Sequence, residues 1–380
     1  MKTLLTGICS LLGCILFVLC ALKVDSLAQS SPTPTPTPTA TPGAPSCTPT
    51  PTITPPADGC VPWSPNCKPC ASDPSCTPNP WPTSAPTITP IPSAYQPTDG
   101  SGTVLEWRRY LPTSTGPWPT VLLVHGGQWE AGSPYQGIVE QVAEDLQTHG
   151  FYVLVPTYRL APCGRITGQP PHDSTPAGEL CGRPLQQIAD IKSLVRAARA
   201  ESNCKDGEVA VVGGSAGGTH AIWVALDTTT SSDWTADDRP NCAVSLSGGY
   251  DLSDQDPTDT LIDETVWIDS VQNYTNTCNR LTQKTYSPVS IVTSPTSTVP
   301  FKPIFLVNGS DDHMIPSREI FDMECALIHA EIPSTLYEII QITDEPYNDD
   351  HSFNLWRDPL DDGSGEVRDK ILAFLRIYIP

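Results

Sequence analysis

A single serine, Ser215, is flanked on both sides by pairs of glycines in the stretch VAVVGGSAGGTH, residues 209–220. The glycines follow an apolar run, which a flexible loop does not need. A helix is also a poor interpretation, because each glycine inside a helix costs about 1 kcal/mol of stability. Glycines are useful where a strand turns sharply into a helix and holds a strained residue at the turn. The pattern Gly-x-Ser-x-Gly at residues 213–217 therefore predicts a nucleophilic serine at such a turn.

Three fixed residues are a weak signal, so other parts of the chain must supply the remaining chemistry. Gly126 and Gly127 follow His125 and the apolar run at residues 121–124. Two glycines directly after a strand allow backbone N–H groups to face a reacting oxygen. Together with the N–H of Ala216, they predict an oxyanion hole built from two separate loops.

An acid and a base are also needed to activate a serine. Asp311 and Asp312 both follow the apolar run PIFLV, and Asp311 is equally suited to cap the turn or the next helix. Among the seven histidines, His351 lies in the loop between the last strand-like run and the last helical pattern. Of the other six histidines, one lies in the glycine loop, three lie in helical patterns or at a helix end, one lies in a long loop, and one directly follows the candidate acid. We therefore expect His351 to be the base.

The elements that must position these residues are indicated by alternating patterns. Short apolar runs predict strands, beginning with TVLEWRRYLP and continuing at residues 121–127, 151–158, 209–214, 242–248, 303–309 and 335–342. Amphipathic patterns between them predict helices at residues 135–150, 184–200, 318–331 and 366–379. This alternation predicts an α/β fold with a mostly parallel central sheet and helices on both faces. Residues 251–300 interrupt it and are expected to form an insertion or lid.

The composition divides the chain into three parts. Residues 1–28 have the charge and apolar run of a signal peptide, and an uncleaved membrane anchor is the alternative. Residues 29–99 are rich in proline and threonine and predict a disordered linker that cannot form a core. Residues 100–380 are expected to form one catalytic domain. The protein is accordingly expected to be secreted or extracytoplasmic, where a stiff spacer would suit esters carried by extracellular polymers.

The cysteines agree with an exported protein. The linker carries a patch of five cysteines for which disulfides are a better interpretation than zinc, because no histidine lies nearby. In the domain we expect disulfides, with the pairings Cys163–Cys181, Cys204–Cys242 and Cys278–Cys325 as one of several possibilities. The net charge of −21 argues against nucleic acid or anionic membrane surfaces as partners.

Three motifs together resemble the α/β-hydrolase superfamily. HGGQWEAGS, the YRLAP that follows a strand, and GGSAGG are similar to those of serine carboxylesterases related to hormone-sensitive lipase and to bacterial feruloyl and acetyl-xylan esterases. The resemblance covers about residues 103–380. It implies a carboxylic ester hydrolase with the catalytic triad Ser215, Asp312 and His351, the oxyanion donors above, and no metal or cofactor. Its partner would be a small or polymer-borne ester.

The resemblance also makes finer predictions. The acid motif of the family matches Gly309, Asp312, Ile315 and Pro316, which favours Asp312 over Asp311. Arg159 is expected to pair with Asp190 in a helix. Many relatives carry a third glycine where this chain has Gln128, so Gln128 and Trp129 are expected to line the substrate pocket.

Two other functions stay open at this stage. An amidase, an arylformamidase or a peptidase would use the same triad. A binding protein with this fold that has lost catalysis is the alternative from another class, although such a protein would be expected to lack a triad residue. A lipase would need a more apolar lid than residues 251–300 provide.

Overall fold

The computed structural model describes residues 87–90, 105–161, 165–166, 182–227, 239–255, 264–293, 301–343 and 351–380. Within these residues, strands and helices alternate as the sequence predicts, and the α/β-hydrolase fold is confirmed. The strands are β1 Thr87–Pro90, β2 Glu106–Tyr110, β3 Trp118–Val124, β4 Tyr152–Pro156, β5 Arg159–Leu160, β6 Arg165–Ile166, β7 Cys204–Gly214, β8 Cys242–Leu246, β9 Ile304–Gly309 and β10 Tyr337–Ile342.

The helices follow the strands along the chain. They are α1 Gly137–Thr148, α2 Pro184–Arg199, α3 Ala216–Leu226, α4 Glu264–Thr275, α5 Arg280–Thr285, α6 Pro288–Thr293, α7 Arg318–His329 and α8 Val367–Tyr378. A short 3₁₀ helix, Ser352–Arg357, follows His351.

Eight strands form one sheet in the order β1-β2-β4-β3-β7-β8-β9-β10. The strands β1, β2 and β4 pair antiparallel, and all pairs from β4 to β10 are parallel. The loops after β3, β7, β8 and β9 therefore leave the sheet at the same edge, which is where open α/β sheets bind their ligands.

Two apolar cores cover the two faces of this sheet. One contains side chains of α2, α3 and α7, and the other contains side chains of α1 and α8. The central strands are buried on both faces, which explains why they read as continuous apolar runs rather than as alternating patterns. A third, smaller apolar cluster lies apart from both cores and includes residues of α4.

Two expectations need correction. Thr87–Pro90 falls inside the predicted linker, but it pairs with β2 as an edge strand of the sheet. Residues 251–300, for which the sequence predicts no helix, contain three helices: α4, α5 and α6. The rest of the predicted linker and the N-terminal segment lie outside the described residues.

The cysteine pairings also need correction. Cys204, Cys242 and Cys325 are thiols, so the pairings Cys204–Cys242 and Cys278–Cys325 are wrong. Cys204 and Cys242 belong to the cores on opposite faces of the sheet, which keeps their sulfur atoms apart. Cys163 and Cys181 lie outside the described residues, and a disulfide elsewhere stays a prediction. In the described part of the chain, no helix is both long and apolar enough to span a membrane.

Candidate active site

Ser215 stands at the turn between β7 and α3, the central strand and the helix that follows it. Its backbone has φ 54° and ψ −125°, in a region that residues other than glycine rarely occupy. Its N–H donates to the carbonyl of Leu246 at 2.8 Å, which fixes the turn against β8. The side chain is almost completely buried, with 5% of its surface exposed. This is the sharp, strained strand-to-helix turn that the glycine pattern predicts.

The glycines around Ser215 are required because other backbone segments approach them closely. A Cβ atom at Gly213 would overlap the carbonyl of Gly217, and one at Gly217 would overlap the carbonyl of Val124. A Cβ at Gly214 would overlap the side-chain oxygen of Ser352. The turn thus packs against the end of β3 on one side and against the loop of His351 on the other.

The predicted oxyanion donors belong to two segments, the start of α3 and the loop after β3. Ala216 is the first residue of α3, so its N–H has no acceptor within the helix. Gly126 lies directly against the serine, because a Cβ placed on it would be 2.9 Å from the Cβ of Ser215. Gly127 has φ +125°, which a glycine adopts readily. The two loops therefore meet at Ser215, as the oxyanion prediction requires.

His351 and Asp312 are brought together from different loops. The Nδ1 of His351 lies 3.0 Å from Oδ1 and 2.9 Å from Oδ2 of Asp312. The Asp312 side chain is fully buried, and its Oδ1 accepts the backbone N–H groups of Met314 and Ile315 at 2.9 Å each. Asp311, the other candidate acid, is exposed. The carboxylate is therefore held rigidly, and it fixes the ring of His351.

A buried network of aromatic and polar side chains contacts the predicted oxyanion loop. The ring of His125 stacks on Tyr158 at 4.5 Å, and the Tyr158 hydroxyl donates to the carbonyl of His125 at 3.0 Å. Burial lowers the pKa of His125 to about 4 and that of His220 to about 3, so both rings are neutral at pH 7. His125 Nδ1 contacts the carbonyl oxygen of Gly126 at 2.7 Å, which anchors the predicted oxyanion loop.

An ion pair holds this network in place. The guanidinium of Arg159, directly after Tyr158, contacts Asp190 of α2 with an Nη2–Oδ1 distance of 2.7 Å. Both residues are buried, and the backbone N–H of Arg159 also donates to Asp190 at 2.9 Å. The Arg159–Asp190 prediction is confirmed.

Gln187 is a further polar residue that sequence reasoning missed. Its amide nitrogen donates to the carbonyls of Trp129 and Gly182, and its amide oxygen lies 2.7 Å from Nε2 of His220. It therefore links the loop after β3 to α3, the helix that carries Ser215. No local signal marks it, because a glutamine within an amphipathic helix is ordinarily solvent-exposed.

The residues predicted to line the substrate pocket have different environments. Gln128 is half-buried and has φ 56°. Trp129 is buried: its ring stacks on Tyr274 at 4.8 Å and lies 6.0 Å from Trp267, both on α4. These aromatic residues form the third apolar cluster together with Leu252, Val271, Ala216 of the serine turn and Ile315 of the acid loop.

The helix α4 thus packs on Trp129 of the loop after β3, and it lies in the region that the sequence assigned to an insertion or lid. The role of Gln128 and Trp129 in substrate binding stays a prediction. Among the described residues, no group of three His, Cys, Asp or Glu side chains is arranged to hold a metal ion.

Comparison with known proteins places this arrangement in a family. A family described as alpha/beta hydrolase fold matches residues 121–325, more than half of the 380 residues. The matched range includes the predicted oxyanion loop, Ser215 and Asp312. No curated protein matches the chain in sequence.

Solved structures share the fold at low sequence identity. Esterase 2 of Thermogutta terrifontis is 17% identical, with a TM-score of 0.51 over 76% of this chain and 91% of its own. An acetyl ester-xyloside bifunctional hydrolase of Caldicellulosiruptor lactoaceticus is 19% identical, with a TM-score of 0.52 over 77% of this chain and 96% of its own. These similarities concern the fold. With the family match, they support one conclusion: the chain belongs to the alpha/beta hydrolase fold family.

Proposed function

We propose that this protein is a serine hydrolase that cleaves carboxylic esters through a Ser215–His351–Asp312 triad. The observation that carries the proposal is the contact of His351 with the buried carboxylate of Asp312, in a loop that packs against the strained turn of Ser215. A histidine held by a buried carboxylate accepts a proton at its other nitrogen, and that is the role a serine nucleophile needs.

The reaction follows from the position of each group. The Ser215 oxygen attacks the ester carbonyl while His351 accepts its proton, which gives a tetrahedral oxyanion. The N–H groups of Gly126, Gly127 and Ala216 stabilise that charge, each by about 3 kcal/mol in comparable sites. His351 then gives the proton to the leaving alcohol. Water, activated by His351, attacks the acyl-enzyme, releases the carboxylic acid and restores Ser215.

The burial of the acid supports this assignment. Asp312 stays next to the histidine ring when the imidazolium forms, so the charged pair is stabilised in a site with little water. The Asp312 carboxylate already accepts two backbone N–H groups, and these hold it in place without any rearrangement during the reaction.

Hydrolysis of p-nitrophenyl acetate, butyrate and decanoate by the full chain tests the proposal. We expect turnover of the shorter esters, and Ser215→Ala should lower kcat by roughly a million-fold, to the background rate. Ser364→Ala removes an exposed serine hydroxyl and serves as the matched control with wild-type activity. A folded wild-type protein without esterase activity would refute the ester assignment, and aryl formamides and anilides assayed in parallel identify an amidase.

The class of natural ester can be tested in the same assay. The acetyl ester-xyloside bifunctional hydrolase shares the fold of this chain. Acetylated xylo-oligosaccharides therefore belong in the same assay, with release of acetate as the measurement. A rate above that of p-nitrophenyl acetate would identify sugar-borne acetyl esters as the preferred class.

We also propose that the protein is exported, on the basis of the apolar segment and the proline-rich residues that follow it. Expression of the full chain in a secreting host, followed by mass measurement of the product, distinguishes the outcomes. Cleavage near residue 28 would support a signal peptide, and an intact chain in the membrane fraction would support an anchor.

A further inference from the structure

The loop that carries His351 contacts the sheet at a second residue besides Asp312. Ser247 directly follows β8, which lies between the strand of the serine and the strand of the acid. The N–H of Ser215 donates to Leu246, and the N–H of Ser247 donates to Val307 of β9, both at 2.8 Å. Ser247 therefore lies level with Ser215 at the carboxyl edge of the sheet.

Ser247 is held in an unusual backbone conformation. Its φ is 53°, in the left-handed region, and its side chain is fully buried. A serine in this region costs of order 1 kcal/mol or more relative to an ordinary conformation. The surrounding structure maintains this conformation, so the direction of the hydroxyl group is well defined.

The hydroxyl oxygen of Ser247 accepts the backbone N–H of Ser352 at 3.0 Å, across 105 positions of the chain. Ser352 directly follows His351 and is itself in the left-handed region, with φ 61°. The side chain of Ser352 lies against Gly214, the residue before the nucleophile. The backbone beside His351 is thus attached to the sheet on one side and packed against the serine turn on the other.

We propose that Ser247 is a positioning residue for His351. Asp312 fixes the imidazole through Nδ1, and Ser247 fixes the backbone that carries the ring, so both ends of the side chain are held. This inference rests on the proposed function, because it assigns the fixed ring to proton transfer from Ser215. The hydrogen bond itself contributes only about 1 kcal/mol to stability, but a base displaced by about 1 Å loses up to a hundredfold in rate.

Two substitutions separate the hydroxyl from the strained backbone. Ser247→Ala removes the acceptor and keeps the strain, whereas Ser247→Gly removes the acceptor and relieves the strain. Ser245→Ala is the matched control, because Ser245 is a fully buried serine of β8, two positions before Ser247, and its hydroxyl pairs with Tyr250 at 2.9 Å. Each variant is measured for kcat, KM and unfolding by denaturant, and for its rate of labelling by a fluorophosphonate.

We expect kcat and the labelling rate to fall about tenfold to a hundredfold in both Ser247 variants, with KM nearly unchanged. Ser245→Ala should lose stability but keep both rates within about threefold of wild type, as expected of a hydrogen bond that is structural only. Wild-type rates in Ser247→Ala, or rates equal to those of Ser245→Ala, would overturn the proposal. Full activity in Ser247→Gly alone would also overturn it, because backbone strain would then be the cause.

The labelling experiment is independent of the ester assay, because a fluorophosphonate reacts with an activated serine whatever the natural substrate is. If the wild type is labelled but hydrolyses no ester, the proposed substrate class fails and the labelling rates of the Ser247 variants still decide the role of Ser247. A folded wild type that is not labelled would overturn both.

Discussion

His351 and Asp312 lie 39 positions apart in the sequence, yet their side chains meet with Nδ1 only 2.9 Å from the nearer carboxylate oxygen. The other Asp312 oxygen lies 3.0 Å from the same nitrogen and also accepts two backbone N–H groups. These two N–H groups require an acceptor. The side-chain amide of an asparagine at position 312 would therefore turn its oxygen toward them.

The first prediction uses this constraint. In Asp312→Asn, the amide oxygen should face the N–H groups of Met314 and Ile315, so its NH₂ faces His351 and forces Nδ1 to act as acceptor. The proton then resides on Nε2, which can no longer accept the Ser215 proton. We expect kcat to fall by about 10⁴-fold. Asp311→Asn changes the exposed neighbour and should keep the wild-type rate; equal losses in the two variants would contradict the assignment of the acid.

The second prediction concerns the close contact between the serine turn and the histidine loop. A Cβ at Gly214 would overlap Ser352 and lie 3.0 Å from the ring of Phe353, so Gly214→Ala should displace the loop of His351. We expect a loss of kcat of at least about a hundredfold, together with reduced stability. Gly137→Ala is the control, because a Cβ there meets nothing within 4 Å and α1 begins at that residue. Wild-type activity of Gly214→Ala would contradict this prediction, because the close contact between Gly214 and the loop of His351 would then not be needed for catalysis.

The third prediction concerns stability. Asp190→Asn removes the partner of a buried guanidinium, and an uncompensated buried charge costs about 3–5 kcal/mol. The free energy of unfolding should fall by at least about 3 kcal/mol, measured by denaturant titration. The pair of Arg357 with Asp145 provides the comparison, since 62% of the Arg357 side chain is exposed. Arg357→Ala should change the free energy by no more than about 1 kcal/mol.

The fourth prediction concerns pH. Burial, with repulsion from Asp254 and Asp251, raises the pKa of Asp322 from 3.8 to about 7. A carboxyl group whose pKa is higher in the folded state stabilises the fold at low pH, and this contribution is lost as the pH rises from about 4 to 7. Asp322→Asn should therefore raise the free energy of unfolding by about 1–3 kcal/mol at pH 8 and change it little at pH 4. Chemical unfolding at both pH values checks it, and a difference independent of pH would contradict it.

The local sequence pattern was sufficient to predict the strands and helices that form the core. Strands buried on both faces must be apolar along their whole length, and helices on a sheet must be apolar along one side. The three helices of residues 264–293 escaped prediction because polar residues dominate α4 and α5, and because α6 is only 6 residues long. Yet Trp267, Val271 and Tyr274 of α4 are spaced as one helical face, and this signal identifies them in retrospect.

The sequence by itself determined the fold class, the strained turn at Ser215 and the loops from which an acid and a base would come. These follow from short-range rules, since glycine tolerance, apolar periodicity and chain order are properties of neighbouring residues. Only the tertiary structure showed which of Asp311 and Asp312 contacts His351, because the side chains of adjacent residues point in different directions. It also decided the contacts of Ser247 with Ser352 and of Gln187 with His220. Residues far apart in the chain meet through the register of the sheet, and strands that are apolar on both faces carry no alternating pattern that would fix this register.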